Sequence, residues 1–164
     1  LYWRRWFQRT LIREEMMPYE VPPQKRPADD NGYFEELTKA IFQAGFSWQV
    51  IRNKWHNFRR AFDGFDIVAV AGYAEPDIER LASDPGIVRN RRKIEATVHN
   101  ARVMWELIQE HGSFYAYLRS LDSSDYAGRR RELSDRFKNL GPTGVFTFLW
   151  CVDEQVPAWE DRNR

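Results

Sequence analysis

Apolar positions along this chain recur at helical spacing, and no segment alternates with a period of two for long enough to argue a sheet. The clearest stripe is Trp48, Ile51, Trp55, Phe58 and Phe62, one buried face over four turns. Upstream, a helix capped by Asp29, Asp30 or Asn31 is expected to run to about Ala44, where Gly45 breaks it. Asp63-Gly64-Phe65-Asp66 reads as a turn, with Asp66 capping a short helix over 67–73, and Pro76 favours another helix start. The longest helix is expected over 89–110, with Ile94, Val98, Ala101, Trp105 and Ile108 on one face and His111-Gly112 ending it. Further helices are expected over 113–121, 130–137 and 143–151, separated by a polar, flexible loop at 122–128 and a tight turn at 138–142. The fold class is all-α.

Pro18, Pro22, Pro23 and Pro27 make the segment 18–31 an extended connector. Residues 1–17 fit a short amphipathic helix or a Trp- and Arg-rich docking arm equally well. The expected division is therefore 1–31 as arm and connector, 32–153 as the helical domain and 154–164 as a tail. At 164 residues, with 43% hydrophobic residues, seven Trp and eleven Phe, there is apolar volume for one compact core. A net charge of +1 argues against a strong global attraction to nucleic acid, so any DNA affinity must come from local clusters. Cys151 has no second cysteine to pair with. No apolar run approaches the roughly 20 residues of a membrane span, and the start lacks the apolar middle of a signal peptide. A cytoplasmic monomer without a cofactor is the expectation.

Three segments carry candidate chemistry. Phe42-Gln43-Ala44-Gly45-Phe46-Ser47-Trp48 sets aromatic side chains around a helix break. Gly86-Ile87-Val88-Arg89-Asn90-Arg91-Arg92-Lys93-Ile94 places Arg89, Arg91, Arg92 and Lys93 at the start of the longest helix. Positive charge there is mildly unfavourable for the helix dipole; a solvated face and a phosphate-binding patch both fit. Ser134-Asp135-Arg136-Phe137-Lys138-Asn139-Leu140-Gly141-Pro142-Thr143-Gly144-Val145-Phe146-Thr147-Phe148 is either an ordinary helical connection or a phosphate-contacting hairpin. In the second case a glycine and a helix start admit a phosphate.

Together these segments, in this order, resemble the 3-methyladenine DNA glycosylase I family of the helix-hairpin-helix DNA glycosylases. The resemblance covers about 33–151. It implies a base-excision repair hydrolase that flips an alkylated purine out of duplex DNA and cuts its bond to the sugar. It also implies Trp48 stacking on the base, Phe46 wedging the duplex, and Phe42, Gln43 and Tyr19 lining the pocket. Lys138, Asn139, Gly141 and Thr143 would meet phosphates, with the 89–93 cluster beside them. A non-catalytic relative that binds duplex or damaged DNA is the alternative, and a protein-interaction module a more distant one.

The chain departs from the family at the chemistry. The family's base-reading Glu falls on Ala40, within apolar Ala40-Ile41-Phe42, and by spacing neither Glu35 nor Glu36 replaces it. Tyr19 is followed by Glu20 where the family has histidine. The family's zinc clamp has no counterpart, since Cys151 stands alone and His56, His99 and His111 lie mid-chain, so no metal is expected. The wider superfamily's catalytic Asp falls in a window holding Glu160 and Asp161, which read first as carboxylates of an exposed tail and only second as that Asp.

Overall fold

The computed structural model describes residues 21–164, and within them every regular element is helical. Eight α-helices follow in order: α1 Asp30–Gln43, α2 Trp48–Ala61, α3 Ile67–Ala71, α4 Glu75–Ala82, α5 Arg91–His111, α6 Phe114–Ser120, α7 Tyr126–Arg136 and α8 Pro142–Cys151. Short 3-10 turns occupy Asp63–Phe65 and Trp159–Asp161. The long α5 is the central strut, with α3, α4, α6 and α1 packed around it, while α8 closes the other side against α1 and α7.

Side-chain caps set most of the helix starts. Asp29, Ser47, Asp66, Asn90, Ser113 and Asp125 each accept a first-turn N–H. Asp125 corrects one expectation. The polar run at 122–128 is not all loop, because Gly128 donates its N–H to Asp125 Oδ1 at 2.8 Å and belongs to the first turn of α7. Asp and Gly suggest a loop by propensity; here they form a cap. Likewise α5 starts at Arg91, with Asn90 as its cap.

The core is largely aromatic. Phe34, Phe42, Phe58, Phe62 and Phe65 are fully buried, and burying a Phe ring contributes about 1.5–3 kcal/mol. Trp55 lies parallel to Phe58 at 5.0 Å and to Phe65 at 5.1 Å. To fold Phe65 back onto Trp55, the chain takes Asp63, Gly64 and Phe65 through positive φ of 51, 66 and 60°. That region disfavours every residue but glycine. The turn is locked by Tyr73, whose hydroxyl donates to Asp63, and by Arg80, whose guanidinium donates to the Ala61 carbonyl at 3.0 Å.

The expected α5 face holds for Ile94, Val98, Ala101 and Ile108 and fails for Trp105, which is 40% exposed. The buried arc is centred nearer Thr97, Met104 and Leu107, leaving Trp105 at its edge beside exposed Val68. No described helix is long and apolar enough to cross a membrane.

Candidate functional site

Gly32, Glu36, Lys39 and Gln43 recur every three or four residues on α1 and so share a face. That face lines a cleft of about 510 Å³. Among the described residues its other walls are the extended segment 21–29, Arg52 of α2 and Cys151 at the end of α8. Trp150 Nε1 donates to the Pro22 carbonyl at 2.8 Å and the Lys25 N–H donates to the Cys151 carbonyl at 3.1 Å, fixing the extended segment across the cleft. Burial pushes the Cys151 thiol up to about 12, with Glu36 adding to the shift, so this wall is uncharged.

Two carboxylates of α1 reach the cleft and differ in occupation. Glu35 accepts from Trp55 Nε1 at 2.9 Å and from the Arg59 guanidinium. Glu36 faces Lys39 Nζ at 3.5 Å. Burial holds the Glu36 carboxyl above its ordinary range, while Lys39 pulls the other way. Sequence spacing set Glu36 aside, yet it precedes Ala40 by one helical turn and lies on the same face, whereas Ala40 itself is buried.

At the end of α1, Gly45 takes φ 68°, and Phe46 donates its N–H to the Gln43 carbonyl at 3.1 Å. Ser47 then caps α2. The break leaves Phe46 45% exposed and Trp48 half-buried. Trp48 meets Trp159 edge-on, 6.2 Å between centroids and 76° between planes, and the Arg52 guanidinium lies 5.9 Å from its ring. Arg52 therefore links Trp48 to the cleft. Gln43 is buried at the cleft wall. Phe42 departs from the expectation: it packs edge-on against Phe58 at 4.8 Å with no exposure, so its ring belongs to the core and is closed to a ligand. Tyr19 and the arm at 1–17 lie outside the described residues.

Half of the basic segment is committed internally, which corrects two of its four assignments. Lys93 Nζ donates to the Ala44 carbonyl at 2.8 Å and the Phe42 carbonyl at 3.4 Å, tying α5 to the end of α1, and burial lowers its pKa. Arg91 is surrounded by Glu75, Glu79 and Glu95. Arg89 and Arg92 are exposed and make no ion pair among the described residues.

Residues 137–141 form the hairpin between α7 and α8. Lys138 donates its N–H to Asn100 Oδ1 at 2.8 Å, and Asn100 Nδ2 donates to the Lys138 carbonyl at 3.0 Å. A fully buried amide of α5 thus grips the hairpin on both sides of one residue. Asn139 takes φ 57°. Gly141 has φ −80°, and a Cβ added there would meet nothing within 4 Å. No side chain caps α8, so its first-turn N–H groups, at exposed Thr143 and at Gly144, have no side-chain acceptor. Lys138 is exposed beside them.

The C-terminal residues fold back. Trp159 packs on Trp150 at 5.1 Å and Phe146 at 5.8 Å as well as Trp48. Glu160 is exposed, and Asp161 pairs with Arg164 at 3.0 Å. Among the described residues no three His, Cys, Asp or Glu side chains come together around a possible metal ion. Sequence reasoning missed Asn100, Arg52 and Trp159. A polar residue inside the apolar α5 stripe was a signal for Asn100; the tail has no periodicity that could have announced Trp159.

A family model described as methyladenine glycosylase matches residues 23–140. The DNA-3-methyladenine glycosylase 1 of Escherichia coli K12 is 39% identical over 90 residues, 55% of this chain and 48% of that protein. The DNA-3-methyladenine glycosylase of Haemophilus influenzae is 35% identical over 74 residues, 45% of this chain and 40% of that protein. The chain thus spans about half the length, or less, of these relatives. Among solved structures, 3-methyladenine DNA glycosylase I from Staphylococcus aureus aligns with a TM-score of 0.71 at 29% identity, over 80% of each chain. A single-residue variant of 3-methyladenine DNA glycosylase I, in complex with 3-methyladenine, aligns with a TM-score of 0.71 at 27% identity, over 88% of this chain and 89% of that one.

Proposed function

The chain belongs to the methyladenine glycosylase family, and from that premise we propose that it removes alkylated purines such as 3-methyladenine from duplex DNA by hydrolysing their bond to the sugar. The observation that carries this reading is the helix break after Gln43. It presents an exposed Phe46 and a half-buried Trp48 next to a cleft that reaches back along α1. A base must leave the duplex stack before it can be cut. Phe46 fills the hole it leaves, and Trp48 receives its face. Attraction between an aromatic face and a cation, about 0.5–2 kcal/mol, favours a methylated purine over a neutral one.

The hairpin supplies the grip on the duplex. Gly141 is dispensable for its own backbone angle and neighbours, so its lack of a side chain serves close approach from outside. Phosphate oxygens take the uncapped N–H groups of α8, with Lys138, Asn139 and Thr143 around them and Arg89 and Arg92 adding charge. Such contacts position the duplex without reading its sequence.

Water adds to the anomeric carbon as the base departs with the bonding electrons. A methylated cationic base leaves neutral, and one proton goes to solvent, so little acid–base help is required. Asp161 is paired to Arg164 and Glu160 is solvated, and we assign neither a step. The enzyme acts in this reading as a cytoplasmic monomer and leaves an abasic site.

Chromatography of bases released from methylated duplex tests the proposal. Wild type should release 3-methyladenine, and Trp48→Ala should lose about tenfold or more of the rate, the scale of one lost base–aromatic stack. A second reading, a non-catalytic lesion binder, is favoured by buried Ala40 at the family's carboxylate position. Salt-sensitive duplex binding with no release at any protein concentration would establish it.

A further inference from the structure

We propose that Glu36 is the carboxylate that reads the extruded base, acting with the Gln43 amide from the α1 wall of the cleft. The inference rests on the proposed handling of alkylated purines and names the residue that selects them.

Among the described residues, three acidic ones line the cleft, and two are already employed. Asp29 accepts the Gly32 N–H at 2.8 Å as the cap of α1, and Glu35 holds Trp55 and Arg59. Glu36 has Lys39 at 3.5 Å, longer than the roughly 2.7–2.9 Å of a well-formed charged hydrogen bond. Lys39 also has a second seat over the Trp55 ring, 5.1 Å from its centroid, so a ligand can take the Glu36 oxygens while Lys39 stays in place. Two of the other cations lining the cleft, Arg26 and Arg52, rest over Tyr115 at 4.5 Å and Trp48 at 5.9 Å. Lys25 is held by its backbone to Cys151.

A long side chain on a helix lies back over the turn N-terminal to its own Cα. A glutamate at 40 would therefore cover the turn that carries Glu36; with Ala40 there that turn is uncovered, and Glu36 lines the cleft one turn nearer the start of α1. Burial makes the Glu36 charge costly in the cleft, against the pull of Lys39. A purine alkylated within the nucleotide offsets that cost by bringing both a charge and N–H donors, and the freed methylated base keeps the donors alone, while an undamaged base brings no charge. Gln43, buried at the cleft wall, offers a donor and an acceptor to the same edge.

Calorimetric titration of the whole chain with free 3-methyladenine, and with adenine for comparison, tests this without depending on excision. Wild type should bind the methylated base, and Glu36→Gln, which keeps shape and removes charge, should bind it about tenfold or more weakly. Glu36→Asp should fall between them. An unchanged unfolding midpoint in the Gln variant excludes loss of fold as the cause. Equal affinity in wild type and Glu36→Gln overturns the proposal, and so does a wild type that does not bind the base. Binding that depends on Glu36 while methylated duplex releases nothing would leave the proposal standing and defeat the excision reading instead.

Discussion

Lys93 directs its ammonium at the two carbonyls that end α1, a use of charge that a run of basic residues does not announce. Lys93→Met keeps the aliphatic stem and removes both hydrogen bonds. It should cost about 1–3 kcal/mol in urea unfolding and leave the salt dependence of duplex binding unchanged. Glu36 makes the opposite prediction. Its folded pKa is raised above the ordinary 4.5, chiefly by burial and against the pull of Lys39, with Glu35 adding to the rise. A raised carboxyl contributes stability below the unfolded value and loses it as pH rises through the folded value. Ionised Glu36 is therefore a liability at neutral pH, and Glu36→Gln should match or exceed the wild-type unfolding midpoint at pH 7. Relative to the variant, wild type should gain as pH falls towards 4.5 and show no further change below it. A midpoint that drops in the variant at pH 7 would mean that the Lys39 pair outweighs burial.

At the scale of elements, the hairpin is held from one side and open on the other. Asn100 of α5 fixes Lys138 through both backbone groups, so Asn100→Leu should loosen the hairpin and weaken duplex binding together with stability. Gly141→Ala separates the two effects. Nothing obstructs the new methyl group, so folding should lose about 1 kcal/mol or less, the cost of a poorer N-cap. Duplex affinity should nevertheless fall about tenfold, because the methyl group stands where a phosphate approaches. Unchanged affinity would remove the phosphate from Gly141. The helices themselves were legible in the sequence because caps such as Asp66 and breakers such as Gly45 act locally. Placement of Phe42, Trp105 and Glu36 was not legible. A stripe gives the existence of a buried face, whereas its centre depends on which neighbour packs against it. Phe42 went to the core because Phe58 and Phe62 meet it there, and Trp105 fell at the edge of a face centred on Met104. The C-terminal turn that brings Trp159 to Trp48 depends on contacts across the fold that no local pattern encodes.

For the whole molecule, charge is nearly balanced at +1 overall, and several cations among the described residues are held in ion pairs. Arg91 is enclosed by three glutamates, Arg119 is paired with Glu154 and Asp122, Arg136 with Glu132 and Arg59 with Glu35. Of the cations assigned to the duplex, Arg89, Arg92 and Lys138 remain exposed without an ion pair among the described residues. Each phosphate neutralised by a cation contributes about −0.9 to the slope of log affinity against log salt. Three such cations predict a shallow slope of about −3, so binding should persist at salt concentrations that strip a strongly basic protein from DNA. The assignment of individual residues is checkable in the same titration. Arg89→Gln, Arg92→Gln and Lys138→Gln should each flatten the slope by about one. Arg91→Gln should change it by less than any of these, because Arg91 is occupied by three carboxylates rather than by phosphate. A slope that flattens on loss of Arg91 and is indifferent to Arg89 and Arg92 would move the duplex to a different face of α5.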